Sequence, residues 1–195
     1  MQKDSPVALN AYQRLVRKIV EHAETSLLIP LFWRLYGARP SATPLAYLSS
    51  LPVGTLGRAV AEGLHRHGFQ LIPNYENHDL KHALLGYGMT AEEELKMQAF
   101  MLGNGNRSPT CFGALLFGVL MPELWADFRA HYRQGRQVSP MFRWNLADYA
   151  TEDLEDLRNK IGLYAARCPR QILCFPQPVI TAFLGMGRHA RLNHD

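Results

Sequence analysis

Apolar side chains recur along this chain mostly at helical spacing, and the gaps between such runs carry helix-ending or helix-starting residues. Near the N-terminus, Tyr12, Leu15, Val16, Ile19 and Val20 fall on one face, with Arg14, Arg17 and Lys18 outside it, so residues 11–24 read as an amphipathic helix. The same periodicity suggests helices at 56–67, 123–132 and 150–160, separated by segments bearing Gly and Pro at 36–44 and 103–109. Few runs alternate with a period of two, and neither an internal repeat nor a low-complexity tract is present. The pattern predicts an all-α fold, most simply one helical domain over residues 1–195.

In the middle of the chain the pattern becomes chemical. His78, Asp79 and His82 fall within one face if residues 78–85 are helical, because steps of ~100° per residue separate them by ~100° at most. Gly86-Tyr87-Gly88 then breaks the helix, and Thr90 with Glu93 three positions on has the form of a capping box that starts another. In that second helix Glu92 and Lys96 form an i,i+4 pair facing water, whereas Glu94 lies on the side of Met97, Gln98 and Met101. An inward carboxylate needs a counter-charge. A cation held by His78, Asp79 and His82 supplies one, with the short turn folding Glu94 back as fourth ligand. The plainer alternative is a helical turn in which Asp79 suits the macrodipole and the imidazoles are merely hydrogen-bonded. For Glu92 and Glu93, first-turn acidity is sufficient reason.

The spacing His-Asp, two residues, His, eleven residues, Glu resembles the metal-site motif of the Coq-four family of ubiquinone (coenzyme Q) biosynthesis proteins. His78, Asp79, His82 and Glu94 take the four ligand positions. Leu51-Pro52-Val53-Gly54-Thr55-Leu56-Gly57-Arg58 resembles the segment ahead of that site, and His131-Tyr132-Arg133-Gln134-Gly135-Arg136 and Leu157-Arg158-Asn159-Lys160-Ile161-Gly162 resemble later helices. The likeness covers about residues 51–163. It departs at Glu93, where the family usually carries a small residue, and the tail 168–195 matches nothing.

The resemblance implies action on a prenylated benzoate-type quinone precursor, with oxidative decarboxylation at C1 and installation of a hydroxyl. A site of two imidazoles and two carboxylates suits a divalent metal, zinc first, with iron or manganese as options, acting as a Lewis acid on the substrate's carboxylate or phenolate. Zinc itself does not change redox state. A second class of function is a non-catalytic scaffold that holds a prenyl tail within a complex of quinone-biosynthesis proteins. A third is an HD-type metal phosphohydrolase, built on the His78-Asp79 dyad with His65 or His67 as a further ligand.

The purest apolar run, residues 111–122, is too short to cross a bilayer that needs ~20-residue helices. It reads as a buried helix or as the wall of a lipid pocket, for which Met97, Met101, Leu116 and Phe117 are the candidate lining. Composition adds bounds. A hydrophobic fraction of 47% over 195 residues is that of a globular protein with a real core. Cys111, Cys168 and Cys174 form no Cys-x-x-Cys pair, which argues against a disulfide framework or zinc ribbon and for a reducing cytoplasm. Residues 1–10 do not have the form of a secretory or mitochondrial leader. The net charge of +4 is modest, and its local focus at Arg129, His131, Arg133 and Arg136 reads first as a solvated helix face. That focus and the basic face of residues 11–24 also suit peripheral contact with an anionic membrane, at its inner face. No nucleic-acid signature is present, and a homodimer is compatible with the composition.

Overall fold

In the computed structural model, residues 9–23 and 43–167 are described, together with Ser26, Pro30, Trp33, Arg34 and Ser41. The helices in chain order are α1 (Ala11–Ala23), α2 (Leu45–Ser50), α3 (Leu56–His67), α4 (Glu76–Leu85) and α5 (Ala91–Gly103). Then come α6 (Pro109–Gly118), a 3-10 turn at Pro122–Leu124, α7 (Trp125–Gln137), α8 (Leu146–Tyr149), α9 (Leu154–Ile161) and α10 (Leu163–Arg167). The fold is all-α, as the periodicity predicts; among the described residues the only β-type pairing is an isolated bridge between Thr55 and Asp153. The sequence features at 1–8, at most of 36–42, and in the tail with Cys168 and Cys174 lie outside the described residues.

Local chemistry sets the ends of the helices that matter for the site. α4 stops at Gly86, whose φ of 69° lies in the left-handed region that glycine enters without a Cβ penalty. α5 starts where Thr90 Oγ1 accepts the Glu93 backbone N–H at 3.3 Å, which is the threonine half of the expected capping box. α6 starts with Ser108 as cap and Pro109 in the first turn, where the missing N–H of proline costs nothing.

α5 runs through the centre and packs directly on α7. A Cβ on Gly135 of α7 would lie 2.0 Å from the Phe100 carbonyl oxygen, and one on Gly103 of α5 would lie 2.1 Å from that of Tyr132, so the two backbones touch through reciprocal glycines. Asn104 locks the crossing. Its buried Nδ2 donates to the carbonyls of Gly135 and Ser139 at 3.2 Å each, while its Oδ1 accepts the backbone N–H groups of Met141 at 2.8 Å and Phe142 at 3.1 Å. All the polar capacity of this amide is used, which is what makes its burial affordable. Arg158 of α9 secures the end of α4, donating from Nε to the Leu84 carbonyl at 2.9 Å and from Nη2 to that of Ala83 at 3.0 Å. Those carbonyls are among the orphan acceptors of a helix C-terminus. Asn77 fastens the other end by accepting the Leu146 N–H at 2.8 Å.

The main core includes Leu48, Leu56, Leu80, Leu84, Met97, Phe100 and Met101, and a second cluster joins Val16 and Val20 of α1 to Leu95, Met121 and Leu124. Two expectations change here. On α1 only Val16 and Val20 of the predicted face are buried, whereas Tyr12, Leu15 and Ile19 remain about half exposed. Arg17, expected in solvent, bridges Glu123 at 2.8 Å and Glu92 at 3.2 Å, and so ties α1 to the start of α5. The apolar run 111–122 is not a buried helix either: Cys111 and Gly118 are covered, but Leu116 is 71% exposed and Val119 59%. α6 is apolar all round, so packing one side on α5 leaves the rest uncovered. Among the described residues no single helix is long and apolar enough to cross a membrane.

Candidate metal centre

His78 and His82 lie one turn apart on α4, so their rings project together, edge to face, with centroids 4.7 Å apart. The tight turn after Gly86 brings α5 back across them. Glu94 Oε2 then lies 3.0 Å from His82 Nε2 and 3.3 Å from His78 Nε2, and the two Nε2 atoms are 3.1 Å from each other. These three atoms form the metal-competent group among the described residues.

Both ends of the triangle are held from behind. His82 Nδ1 faces the Tyr87 carbonyl at 3.4 Å, and a carbonyl only accepts, so Nδ1 carries a proton and Nε2 is left to face the ion, or the second proton, that stands among the three atoms. Gln98 Nε2 donates to Glu94 Oε1 at 2.7 Å, leaving Oε2 for the imidazoles. The ring of Tyr75 stacks on His78 at 4.9 Å, fixing its plane. Three lone-pair atoms so oriented repel one another unless a cation or a proton stands among them. Their edges of 3.0 to 3.3 Å match the ~3.3 Å expected between donors around a tetrahedral ion with bonds of ~2.0 Å, so the group could hold a metal ion.

The electrostatics have the same cause. Burial alone would raise the Glu94 carboxyl, but the charges and hydrogen bonds of His78 and then His82 outweigh it and hold Glu94 well below the usual carboxylate range. Burial likewise works against protonated His78, and the charge and hydrogen bond of Glu94 more than offset it, raising that imidazole. Asp79 differs. Burial pushes it up to about 6, only partly opposed by His78 and His82.

Asp79, the fourth residue of the motif, is not part of the triangle. It lines a cavity of about 320 Å³ together with His82, Tyr87 and Arg158. One step round the helix from His78 carries its carboxylate to the edge of the face rather than its centre. His65 and His67, the further ligands an HD-type site would need, stand at the exposed end of α3 and do not join the group either. Glu92 pairs with Lys96 at 2.9 Å and Glu93 with the same ammonium at 3.1 Å, so neither competes with Glu94.

The four residues expected to line a lipid pocket occupy three settings. Met97 and Met101 are fully buried in the main core, Leu116 is at the surface, and Phe117 packs against the second cluster. Other residues near the site had no motif to announce them. Tyr87 Oη lies 2.6 Å from His131 Nδ1, which draws His131 out of the basic cluster and leaves Arg129, Arg133 and Arg136 exposed around it. Lys81 and Gln98 join His78 in lining a second, polar cavity. The only sequence signal for them was helical phase, since Lys81 is one position from His82 and Gln98 one turn from Glu94.

Fold and site together define an all-α protein with a candidate two-histidine, one-carboxylate metal centre. Among solved structures, the chain is similar to the crystal structure of a candidate ubiquinone biosynthesis protein from Nostoc punctiforme PCC 73102. The two share 21% sequence identity over 77% of this chain and 82% of that one, with a TM-score of 0.52. At that identity the likeness establishes a common fold. No protein-family model and no curated protein matches the chain.

Proposed function

We propose that this protein acts in quinone biosynthesis, binding a prenylated benzoate-type ring precursor at a divalent metal held by His78, His82 and Glu94 and promoting its oxidative decarboxylation at C1. The observation that carries the reading is the convergence of Nε2 of His78, Nε2 of His82 and Oε2 of Glu94 to within 3.3 Å of one another. It occurs on a fold shared with the Nostoc protein described for ubiquinone biosynthesis. A bound divalent ion supplies Lewis acidity toward a carboxylate or phenolate oxygen. The chain's own residues present the ligands: the Tyr87 carbonyl sets the tautomer of His82, Gln98 orients Glu94, and Tyr75 fixes the plane of His78. Three protein donors leave a fourth position for substrate, the arrangement of catalytic rather than structural sites. Asp79 is the reserve ligand of the proposal, one residue from His78.

The lipid part of the proposal rests on exposed surface instead of an internal pocket. Phe112, Leu116, Val119 and Leu120 are uncovered at α6, and Tyr12, Leu15 and Ile19 at α1. The two groups meet where Tyr12 Oη donates to the Leu120 carbonyl at 2.9 Å, with Arg14 and Lys18 exposed beside them. An apolar patch edged by cations suits a prenyl chain at an anionic membrane surface. The same patch favours the second reading, a non-catalytic protein that presents prenyl lipids to partner enzymes.

The experiment is elemental analysis of purified variants followed by product formation. His78→Ala, His82→Ala and Glu94→Ala should each lose most bound metal, Glu92→Ala and Glu93→Ala should keep it, and Asp79→Ala decides whether that carboxylate also binds. Glu94→Gln should keep the fold while abolishing turnover of a prenylated 4-hydroxybenzoate-type precursor with metal and oxygen. Wild-type protein that takes up no zinc, iron or manganese would sink the metal reading, and metal-loaded protein with no turnover, alone or with partner proteins, would leave the lipid-presenting one.

A further inference from the structure

We infer that His131 of α7, outside the triangle of candidate ligands, is a positioning residue of the metal centre: its hydrogen bond to the Tyr87 hydroxyl fixes the Tyr87 carbonyl against which His82 is set. The inference rests on the metal reading above and concerns the ion alone, whatever substrate meets it. The link begins at the turn after α4. Tyr87 stands between Gly86 and Gly88, and neither neighbour has a Cβ to restrict the backbone, so the turn alone does not set the direction of the Tyr87 carbonyl. That carbonyl faces His82 Nδ1 at 3.4 Å, near the outer limit of a useful hydrogen bond, and a small rotation of the peptide would lose it.

The tyrosine ring supplies the restraint. It is buried, meets Phe100 edge to face with centroids 6.2 Å apart, and places Oη 2.6 Å from His131 Nδ1, with the two rings at 62° and 5.3 Å between centroids. A buried phenol is costly to leave without a partner, so the hydrogen bond holds the ring in one place. The residues that grip it are themselves registered by the helix crossing. His131 precedes Tyr132, whose carbonyl oxygen would lie 2.1 Å from a Cβ on Gly103, and Phe100 bears the carbonyl oxygen that a Cβ on Gly135 would meet at 2.0 Å. Phe100 and His131 therefore sit at, or one residue from, the points where α5 and α7 touch, and α5 also carries Glu94. Close packing there fixes the height of His131 relative to Glu94, and the Tyr87 hydroxyl carries that register across the turn to His82. Two ligands on different helices are thus referred to one crossing.

The test is titration of the full chain with cobalt(II), followed by visible absorption, for wild type, Tyr87→Phe, His131→Leu and His131→Asn, each with a melting curve. Tyr87→Phe keeps the ring and loses only the hydroxyl. It and His131→Leu should each weaken cobalt binding about tenfold, the lower end of what loss of an outer partner of a metal ligand costs, and should shift the cobalt bands in the same way. Because both changes break one link, the double variant should bind no more weakly than either single one. His131→Asn, whose amide places a hydrogen-bonding atom where Nδ1 stands, should restore most of the affinity and the wild-type bands. A purely structural histidine would lower Tm and leave cobalt affinity and bands unchanged; that result overturns the inference and leaves the metal reading standing, as does a His131→Asn protein as weak as His131→Leu. Wild-type protein that binds no cobalt overturns both. If His131→Leu fails to fold, Tyr87→Phe decides alone: wild-type affinity and bands in that variant overturn the inference.

Discussion

The reciprocal glycines between α5 and α7 allow a prediction whose sign differs between two changes of the same chemistry. In Gly135→Ala the new Cβ would stand 2.0 Å from the Phe100 carbonyl oxygen and 3.1 Å from the Asn104 nitrogen, against backbone that no rotamer change can move. An ordinary carbon–oxygen contact is about 3.3 Å, so the helices must part by about 1.3 Å there. Overpacking of that kind costs ~1–3 kcal/mol, occasionally more, and the better helix propensity of alanine returns ~1 kcal/mol. With a rigid obstacle and the Asn104–Gly135 hydrogen bond also at stake, the net loss should be about 2–3 kcal/mol. For a protein of this size that corresponds to a fall in Tm of roughly 5–10 °C. Gly63 in α3 has nothing within 4 Å of the position a Cβ would take, so Gly63→Ala should gain the propensity term alone and raise Tm by about 1–4 °C. Thermal denaturation followed by circular dichroism measures both. Because α5 carries Glu94, Gly135→Ala should also weaken metal binding, and Gly63→Ala should not. A Gly135→Ala protein melting within a degree of wild type would show that the two backbones do not meet as described.

Two further predictions concern the site and the surface. In metal-free protein, the raised pKa of His78 gives a contribution present below its ordinary 6.5 and lost as pH rises through the higher folded value. Asp79, raised to about 6, adds a penalty that grows as pH climbs from 3.8, whereas the depressed Glu94 contributes above 4.5 and fails only as pH falls through its own low value. Tm should therefore fall between about pH 6 and pH 8 without metal and rise over the same window with zinc, whose ligands must be deprotonated. Differential scanning calorimetry of both forms, with His78→Gln as control, checks the inversion; parallel curves would refute it. Leu116→Asp, at a side chain 71% exposed, should leave Tm nearly unchanged but reduce sedimentation with anionic vesicles several-fold. Undiminished vesicle binding would remove α6 from the membrane-facing surface.

The helices and the heart of the site were legible in the amino-acid sequence because both depend on local rules. Three-to-four-residue periodicity marked α1, α3, α7 and α9, Gly86 and Thr90 marked the turn between α4 and α5, and the spacing of His78 and His82 placed two imidazoles on one face. Helical phase also separated Glu94 from Glu92 and Glu93, which the ion pairs with Lys96 bear out. What periodicity does not carry is which side of an apolar helix finds a partner. Residues 109–118 are apolar all round, so only the packing of α6 on one side determined that Leu116 faces outward, while Met97 and Met101 went into the core because α5 is covered by neighbours on several sides. The Asn104 clamp, the Arg158 contacts with the end of α4, the Tyr87–His131 pair, and the meeting of Lys81 and Gln98 in one cavity join residues from separate turns or helices. Such contacts depend on crossing angles set by close backbone approach at Gly103 and Gly135, and local sequence encodes the glycines but not what they will touch.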